Sequence, residues 1–239
     1  DEYLLERQYI TILADRGVDG IVMVVSAESY GPKNEECLSL LRTLGIPVVL
    51  ADCFDKAGDF SMVAIDNTRG SVLAVRHLLD LGHRRIGCVT GPQGIQTNRE
   101  RLAGYTETLA AADLAPNPAL IYEGDFRYQS GYEGAVHLLE QNPTAIFCHN
   151  DMMALGAVNA LRDRGRKVPA EISVIGFDDI FFSRYMDVPL TTVKQPVYKM
   201  GLEAASILLD EIGDKDKPKQ CIMYDPQLIV RQSTMSPPR

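Results

Sequence analysis

No run of about 18 apolar residues occurs in the 239-residue sequence, so no segment reads as a membrane-crossing helix and no membrane partner is expected. The opening Asp1-Glu2-Tyr3 carries no basic stretch followed by an apolar one, so no secretory signal is visible. Positive charge is in deficit: 24 Lys and Arg against 32 Asp and Glu leave a formal net charge of -8. An acidic domain repels a phosphate backbone, which counts against this segment itself contacting nucleic acid. Cysteine is sparse and odd in number, at Cys37, Cys53, Cys88, Cys148 and Cys221, with no Cys-x-x-Cys pair. That pattern disfavours a disulfide framework or a zinc site and fits reduced thiols in a cytoplasm.

Enzyme signatures are missing as well. There is no Gly-x-Gly-x-x-Gly, no phosphate-loop Gly-x4-Gly-Lys, and no Gly-x-Ser-x-Gly elbow. Gly91-Pro92-Gln93-Gly94 is only a Gly-rich loop without the spacing to cradle a pyrophosphate. The four histidines, His77, His83, His137 and His149, form no metal-ligand pair with one another or with a cysteine. His83 lies in a helix-to-strand turn and reads as structural. No catalytic residue, metal or cofactor is expected, and the chain is not expected to be an enzyme. Asp52 and Asp178 as an acid/base pair is the one enzymatic alternative.

What is present is an ordinary globular mixture, 46% hydrophobic and 23% charged, with enough length for one large or two modest cores. Val- and Ile-rich runs recur at 21–25, 47–50, 62–65, 86–90, 119–122, 145–148 and 172–175. Their near-continuous hydrophobicity predicts strands buried on both faces, as in parallel sheets. Helical stripes alternate with them: Leu5, Tyr9, Ile12 and Leu13 before Gly17; Cys37, Leu38 and Leu41 before Gly45; Val72, Val75, Leu78 and Leu79 before Gly82; Met153, Ala157, Ala160 and Leu161 before Gly165. A glycine just past the last turn is the usual helix stop. The alternation argues for α/β architecture. Periodicity alone leaves one sheet or two open. The chain begins in a helix with no preceding strand, which reads as a piece of a longer protein. The tail from Ser236 is expected to be disordered.

The informative polar residues terminate strands. Asp52, Asn150, Asp178 and Gln195 each follow an apolar or Thr/Val-rich run. Ligands of open α/β sheets bind at the carboxyl ends of the strands. Carboxylates and amides there suit a polyhydroxylated ligand, because a carboxylate accepts from two hydroxyls and an amide both donates and accepts. Arg101, after the strand at 86–90, can fork onto two oxygens. Phe126 can offer a flat apolar face to a sugar ring. The alternative for each Asp or Asn is to cap the next helix, a role also open to Asp151 and Asp179. Asp66-Asn67-Thr68 reads as a helix start rather than a ligand group.

Several motifs in order resemble the LacI/GalR family of repressors: His77-Leu78-Leu79-Asp80-Leu81-Gly82-His83-Arg84-Arg85-Ile86 with Thr90-Gly91-Pro92; Arg99-Glu100-Arg101-Leu102-Ala103-Gly104-Tyr105; and Asn150-Asp151-Met152-Met153-Ala154-Leu155-Gly156-Ala157. The strongest block is Val168-Pro169-Ala170-Glu171-Ile172-Ser173-Val174-Ile175-Gly176-Phe177-Asp178-Asp179, followed by Pro189-Leu190-Thr191-Thr192-Val193-Lys194-Gln195-Pro196 and Met200-Gly201. The resemblance spans nearly the whole chain. It implies a periplasmic-binding-protein-like type I core of two doubly wound α/β subdomains with parallel sheets, crossed three times by the chain. Residues 1–64 with 195–219 would form one, and 65–194 with 220–239 the other. It also implies an N-terminal DNA-binding headpiece, a homodimer, and operator DNA as a partner through that headpiece. The family's ligand positions fall on Asp52, Arg101, Phe126, Asn150, Asp178 and Gln195. The ribose-repressor branch looks most similar, with ribose or a related pentose or hexose as effector. Cys53, where purine-type members carry an aromatic, departs from the purine reading. A periplasmic sugar-binding protein of a transporter shares the fold and is the alternative.

Overall fold

The computed structural model describes residues 2–24, 32–53, 55, 57–214 and 216–238. The chain forms two compact units, one of residues 1–66, 94–97 and 196–224, the other of residues 67–93, 98–195 and 225–239.

The first unit contains α1 (Glu2–Asp15), β1 (Ile21–Val24), α2 (Pro32–Thr43), β2 (Val48–Ala51), β3 (Ser61–Ile65), α7 (Val197–Gly213) and β9 (Cys221–Tyr224). Its four strands pair in parallel in the order β1-β2-β3-β9. Successive side chains of a strand point to opposite faces. Val48 and Leu50 therefore join Cys37, Leu38 and Leu41 of α2, while Val49 joins Met200, Ala204 and Ile207 of α7. The strand at 21–25 was expected to be buried on both faces. Of β1, Ile21 and Met23 are buried but Val22 and Val24 are exposed. It is the edge strand, and α7 covers the face of β2 and β3 rather than these valines. Val25 lies outside the described residues. Of the described side chains of α1, only Ile10 is buried, and the predicted stripe Leu5, Tyr9, Ile12 and Leu13 is exposed.

The second unit contains α3 (Asn67–Asp80), β4 (Ile86–Thr90), β5 (Ile121–Glu123), α5 (Tyr128–Leu139), β6 (Ala145–Cys148), α6 (Asp151–Asp163), β7 (Ser173–Asp178), β8 (Thr191–Lys194) and β10 (Gln227–Ile229). It also holds most of α4 (Gln96–Ala110). The strand order is β10-β8-β7-β6-β4-β5, all parallel except β10 against β8. The chain moves from β4 outward to β5, then returns to the other side of β4 for β6, so the winding reverses between β4 and β6. Ile146, Cys148 and Val174 pack with α5 and α6, and Ala145, Phe147, Ile175 and Phe177 pack with α3 and α4. Both faces are thus covered, as the unbroken apolar runs require.

The predicted helix stops Gly17, Gly45, Gly82 and Gly165 all take positive φ. Three expectations need correction. Residues 220–224 do not go with the second unit, because β9 pairs with β3 and the chain crosses after Tyr224. Gln195 belongs to the second unit, where its side chain bonds Asp178. The tail is anchored as far as Pro237. Ser233 Oγ accepts from Thr191 N–H at 2.8 Å, the Met235 carbonyl lies 2.9 Å from His83 Nε2, and Pro237 packs beside Gly82.

Candidate functional site

Five of the six predicted residues stand at the carboxyl edge of the second unit's sheet. Arg101 follows β4 on α4, Phe126 follows β5, Asn150 follows β6, Asp178 ends β7 and Gln195 follows β8. Because these strands run parallel, their ends fall on one side, and the β4/β6 reversal leaves the crevice in which such sheets take ligands. Asp52 directly follows β2 in the first unit, where its N–H donates to Val63 O at 2.9 Å. The loop after it is braced by Arg42, which donates to Asp55 at 3.0 Å and to Asp59 at 2.7 Å.

Arg101 organises the edge. It is buried, at 4% exposure. Nε donates to Asn67 Oδ1 at 2.8 Å, and Nη1 donates to the His149 carbonyl and lies 3.6 Å from Asp178 Oδ1. The guanidinium sits 3.8 Å from the centroid of the Phe177 ring, a cation–π contact that favours the charged group in a dry site. Its Nη2 has no hydrogen-bond partner among the described residues. A Cβ at Gly104 would fall 2.4 Å from Thr68 O, so the glycine is what lets α4 close on α3 and bring Arg101 to Asn67.

Asp178 Oδ1 accepts from Gln195 Nε2 at 2.6 Å, and the carboxylate is a quarter exposed. Burial pushes its pKa up, and the Arg101 charge and the Gln195 hydrogen bond hold it down. Oδ2 accepts no hydrogen bond among the described residues. Phe126 lies with its ring on Gly91: a Cβ there would fall 2.1 Å from the ring's Cζ. Gly91 is therefore a seat for an aromatic ring, a role its weak loop motif did not reveal. Asn150 performs the capping role that was its alternative. Its Oδ1 accepts from Met153 N–H at 2.8 Å at the start of α6, and its Nδ2 donates to Phe126 O at 2.8 Å. Asp52, Phe126 and Asp178 all take positive φ, at 52°, 66° and 114°. Such backbone strain in non-glycine residues gathers at functional sites.

Sequence reasoning missed the supporting residues. Asn67, read as a helix start, is at once the first residue of α3 and the partner of Arg101. Asn98 Oδ1 accepts from Gly91 N–H at 2.7 Å and lies 2.7 Å from His149 Nδ1. His149 is fully buried, and burial, with the Arg101 charge adding, drives its pKa well below the usual histidine range. It is neutral, with Nδ1 carrying the proton toward Asn98 and Nε2 facing Cys88 Sγ at 3.4 Å. The one available signal was spacing: Asn98 and Arg101 are three apart on α4 and share a face. Among the described residues no group of three His, Cys, Asp or Glu could hold a metal, and no helix is long and apolar enough to cross a membrane.

The carboxyl edge of the second unit's sheet thus carries a set of hydrogen-bonding groups and an aromatic ring. Residues 75–234 match the family described as periplasmic binding protein-like domain. The HTH-type transcriptional repressor PurR of Aliivibrio salmonicida (strain LFI1238) is 36% identical over 231 residues, covering 95% of this chain and 68% of that protein. The HTH-type transcriptional repressor CytR of Escherichia coli (strain K12) is 36% identical, covering 98% of this chain and 67% of that protein. A solved LacI family regulator from Enterococcus faecium with bound ribose superposes with a TM-score of 0.85 at 28% identity, covering 96% of this chain and 84% of that one. The chain spans about two-thirds of the length of these curated relatives, which are repressors rather than transporter components. It belongs to the periplasmic-binding-protein-like family, as the effector-binding domain of a LacI-family transcriptional regulator.

Proposed function

We propose that the domain senses a small hydroxyl-rich effector, a sugar such as ribose or a related pentose or hexose. The observation that carries this reading is the open hydrogen-bonding capacity at the second unit's sheet edge, Arg101 Nη2 and Asp178 Oδ2, on the same carboxyl side as Phe126. Arg101 would donate to ligand oxygens and Asp178 would accept from two adjacent hydroxyls. Gln195 and the remaining Asn150 N–H would complete the set, and Asp52 is the sixth proposed contact. A ligand that binds one conformation of the domain better than another shifts the population toward it. Moving a 1:99 mixture to 99:1 takes about 5.5 kcal/mol of differential binding. A few hydrogen bonds to charged groups, at about 1.5–3 kcal/mol each, supply that. The shift is relayed to a DNA-binding headpiece and alters operator affinity. A thermal-shift screen against ribose, glucose, ribose 5-phosphate, adenosine and hypoxanthine tests this. A sugar raising the melting temperature supports it, and a response to none of the sugars contradicts it.

A purine effector is the second reading. The flat Phe126 ring on Gly91 suits a nucleobase as well as a sugar. The same screen separates the two.

The domain is proposed to work as a homodimer in the cytoplasm. Four of the five free cysteines are buried as thiols, which fits a reducing compartment. Phe181, Phe182 and Tyr185 are each about two-thirds exposed, with their rings packed on one another at 5.6 and 5.0 Å. Exposed aromatic clusters mark protein contacts, and a second copy is the proposed occupant. Sedimentation of wild type and of Phe181→Ser/Tyr185→Ser tests it: a dimer that the double variant converts to monomer is expected, and a monomeric wild type contradicts it.

A further inference from the structure

Asp151 has no part in the site described so far, yet it is a carboxylate at only 1% exposure. It opens α6 directly after Asn150. Three other elements converge on it. Oδ2 accepts from Ile180 N–H at 3.0 Å, in the turn after β7, and from Ser183 Oγ at 2.5 Å. Oδ1 accepts from Thr192 Oγ1 at 2.5 Å, on β8. The carboxylate also lies against the β7 backbone itself, since a Cβ at Gly176 would fall 2.2 Å from Oδ1. One side chain thus ties the start of α6, the end of β7, the turn at 180–183 and β8 together.

Asp178 sits inside this clasp. It is two residues beyond Gly176 and two before Ile180, and it holds a positive φ of 114°. Asp179, also at positive φ, is fixed separately, by Arg231 Nη2 at 2.5 Å. The strained pair is therefore pinned on both sides, by Asp151 and by Arg231. We propose that Asp151 is a positioning residue of the effector site, clasping the turn after β7 so that Asp178 stands at the sheet edge. This inference rests on the effector-site reading only for its consequence, and the clasp can be measured on the effector-free chain.

The clasp is sensitive to protons. Burial raises the Asp151 pKa to about 7, against the hydrogen bonds from Ser183, Thr192 and Ile180, and the Asp178 charge raises it further. The ionisable and charged groups around it are Cys148 on β6, whose thiol burial and the Asp151 charge keep protonated, Asp178 on β7, the Asp179–Arg231 pair, the exposed Arg184 after Ser183, and the exposed Lys194 on β8. Only a carboxylate accepts from all three donors at once. A carboxylic acid turns one oxygen into a donor and weakens the set.

Hydrogen exchange of the backbone amides at 178–183, at about pH 8 and about pH 5.5 and corrected for intrinsic rates, tests the proposal. In wild type, protection at Ile180 should fall roughly tenfold on acidification, because a charge-assisted hydrogen bond is about twice as strong as a neutral one. Asp151→Asn should show the low protection at both pH values, and Asp178→Asn should keep a pH dependence, shifted to lower pH because the Asp178 charge no longer raises the Asp151 pKa. A flat wild-type profile, or an unchanged pH dependence in Asp151→Asn, overturns the proposal. If Asp151→Asn fails to protect the β6 amides, and so has not folded, carbon NMR of the wild-type Asp151 carboxyl decides. Titration in step with the Ile180 amide supports the clasp, and titration without it overturns the clasp.

Discussion

At the scale of single residues, the site depends on what is small as much as on what is polar. The Phe126 ring can reach its seat only because position 91 has no side chain. Gly91→Ala should push the ring from its seat at an overpacking cost of about 1–3 kcal/mol. Calorimetry should then show effector affinity falling roughly tenfold or more, each tenfold being about 1.4 kcal/mol. The melting temperature should change by only a few degrees, since the half-buried ring can turn outward. Unaltered affinity would mean that the ring does not meet the ligand. Arg101 was legible as a residue that follows a strand. Its anchors were not, because Asn67 lies 34 residues before it and His149 lies 48 residues after it. Nothing local in a sequence announces a partner at that distance. Asn150 shows the opposite limit. Its capping role and its proposed ligand role use the same position, and the local pattern could not separate them.

At the scale of elements, the His149 network joins β6, α4 and the loop after β4, and it makes stability depend on pH. His149 is neutral in the fold because burial lowers its pKa, while in the unfolded chain it titrates near 6.5. Below about 6.5 the unfolded chain therefore binds the extra proton, so stability is lost as the pH falls. Burial lowers the pKa of His77 and His83 as well, which acts in the same direction. Asp151 opposes them. Its folded pKa of about 7 exceeds the usual 3.8, so its contribution declines as the pH rises across that interval. Urea denaturation at about pH 7, 6 and 5 should show a weaker loss of stability on acidification in His149→Gln than in wild type. Equal slopes would mean that His149 is not the titrating group. Elements buried on both faces were easy to read, and β4 and β6 begin and end where the apolar runs at 86–90 and 145–148 do. Elements that take their register from a distant partner were not. β9 is a four-residue strand of alternating exposure that joins β3 from 159 residues away, and no periodicity marks so short a segment. The stripe on α1 was recognisable as helical, but which of its faces is buried depends on neighbours that the stripe does not specify.

At the scale of the whole molecule, six separated segments supply the proposed effector contacts, and five of them follow or end strands of one mainly parallel sheet. Parallel strands end on one side, so the chain gathers polar residues there without any of them being near in sequence. The two-unit organisation and the family were implied by the order of motifs rather than by any single one. The positions of the three crossings were less legible, because they depend on where Gln195 and β9 find partners. Asp178 and Asp52 are both proposed to contact a hydroxyl-rich ligand. The most direct measurement is calorimetric titration of the sugar giving the largest thermal shift into wild type, Asp178→Ala and Asp52→Ala. Each variant should lose at least roughly tenfold in affinity while retaining its melting temperature within a few degrees, as expected for removing one hydrogen bond to a charged group worth about 1.5–3 kcal/mol. Wild-type affinity in either variant would contradict contact between that carboxylate and the ligand.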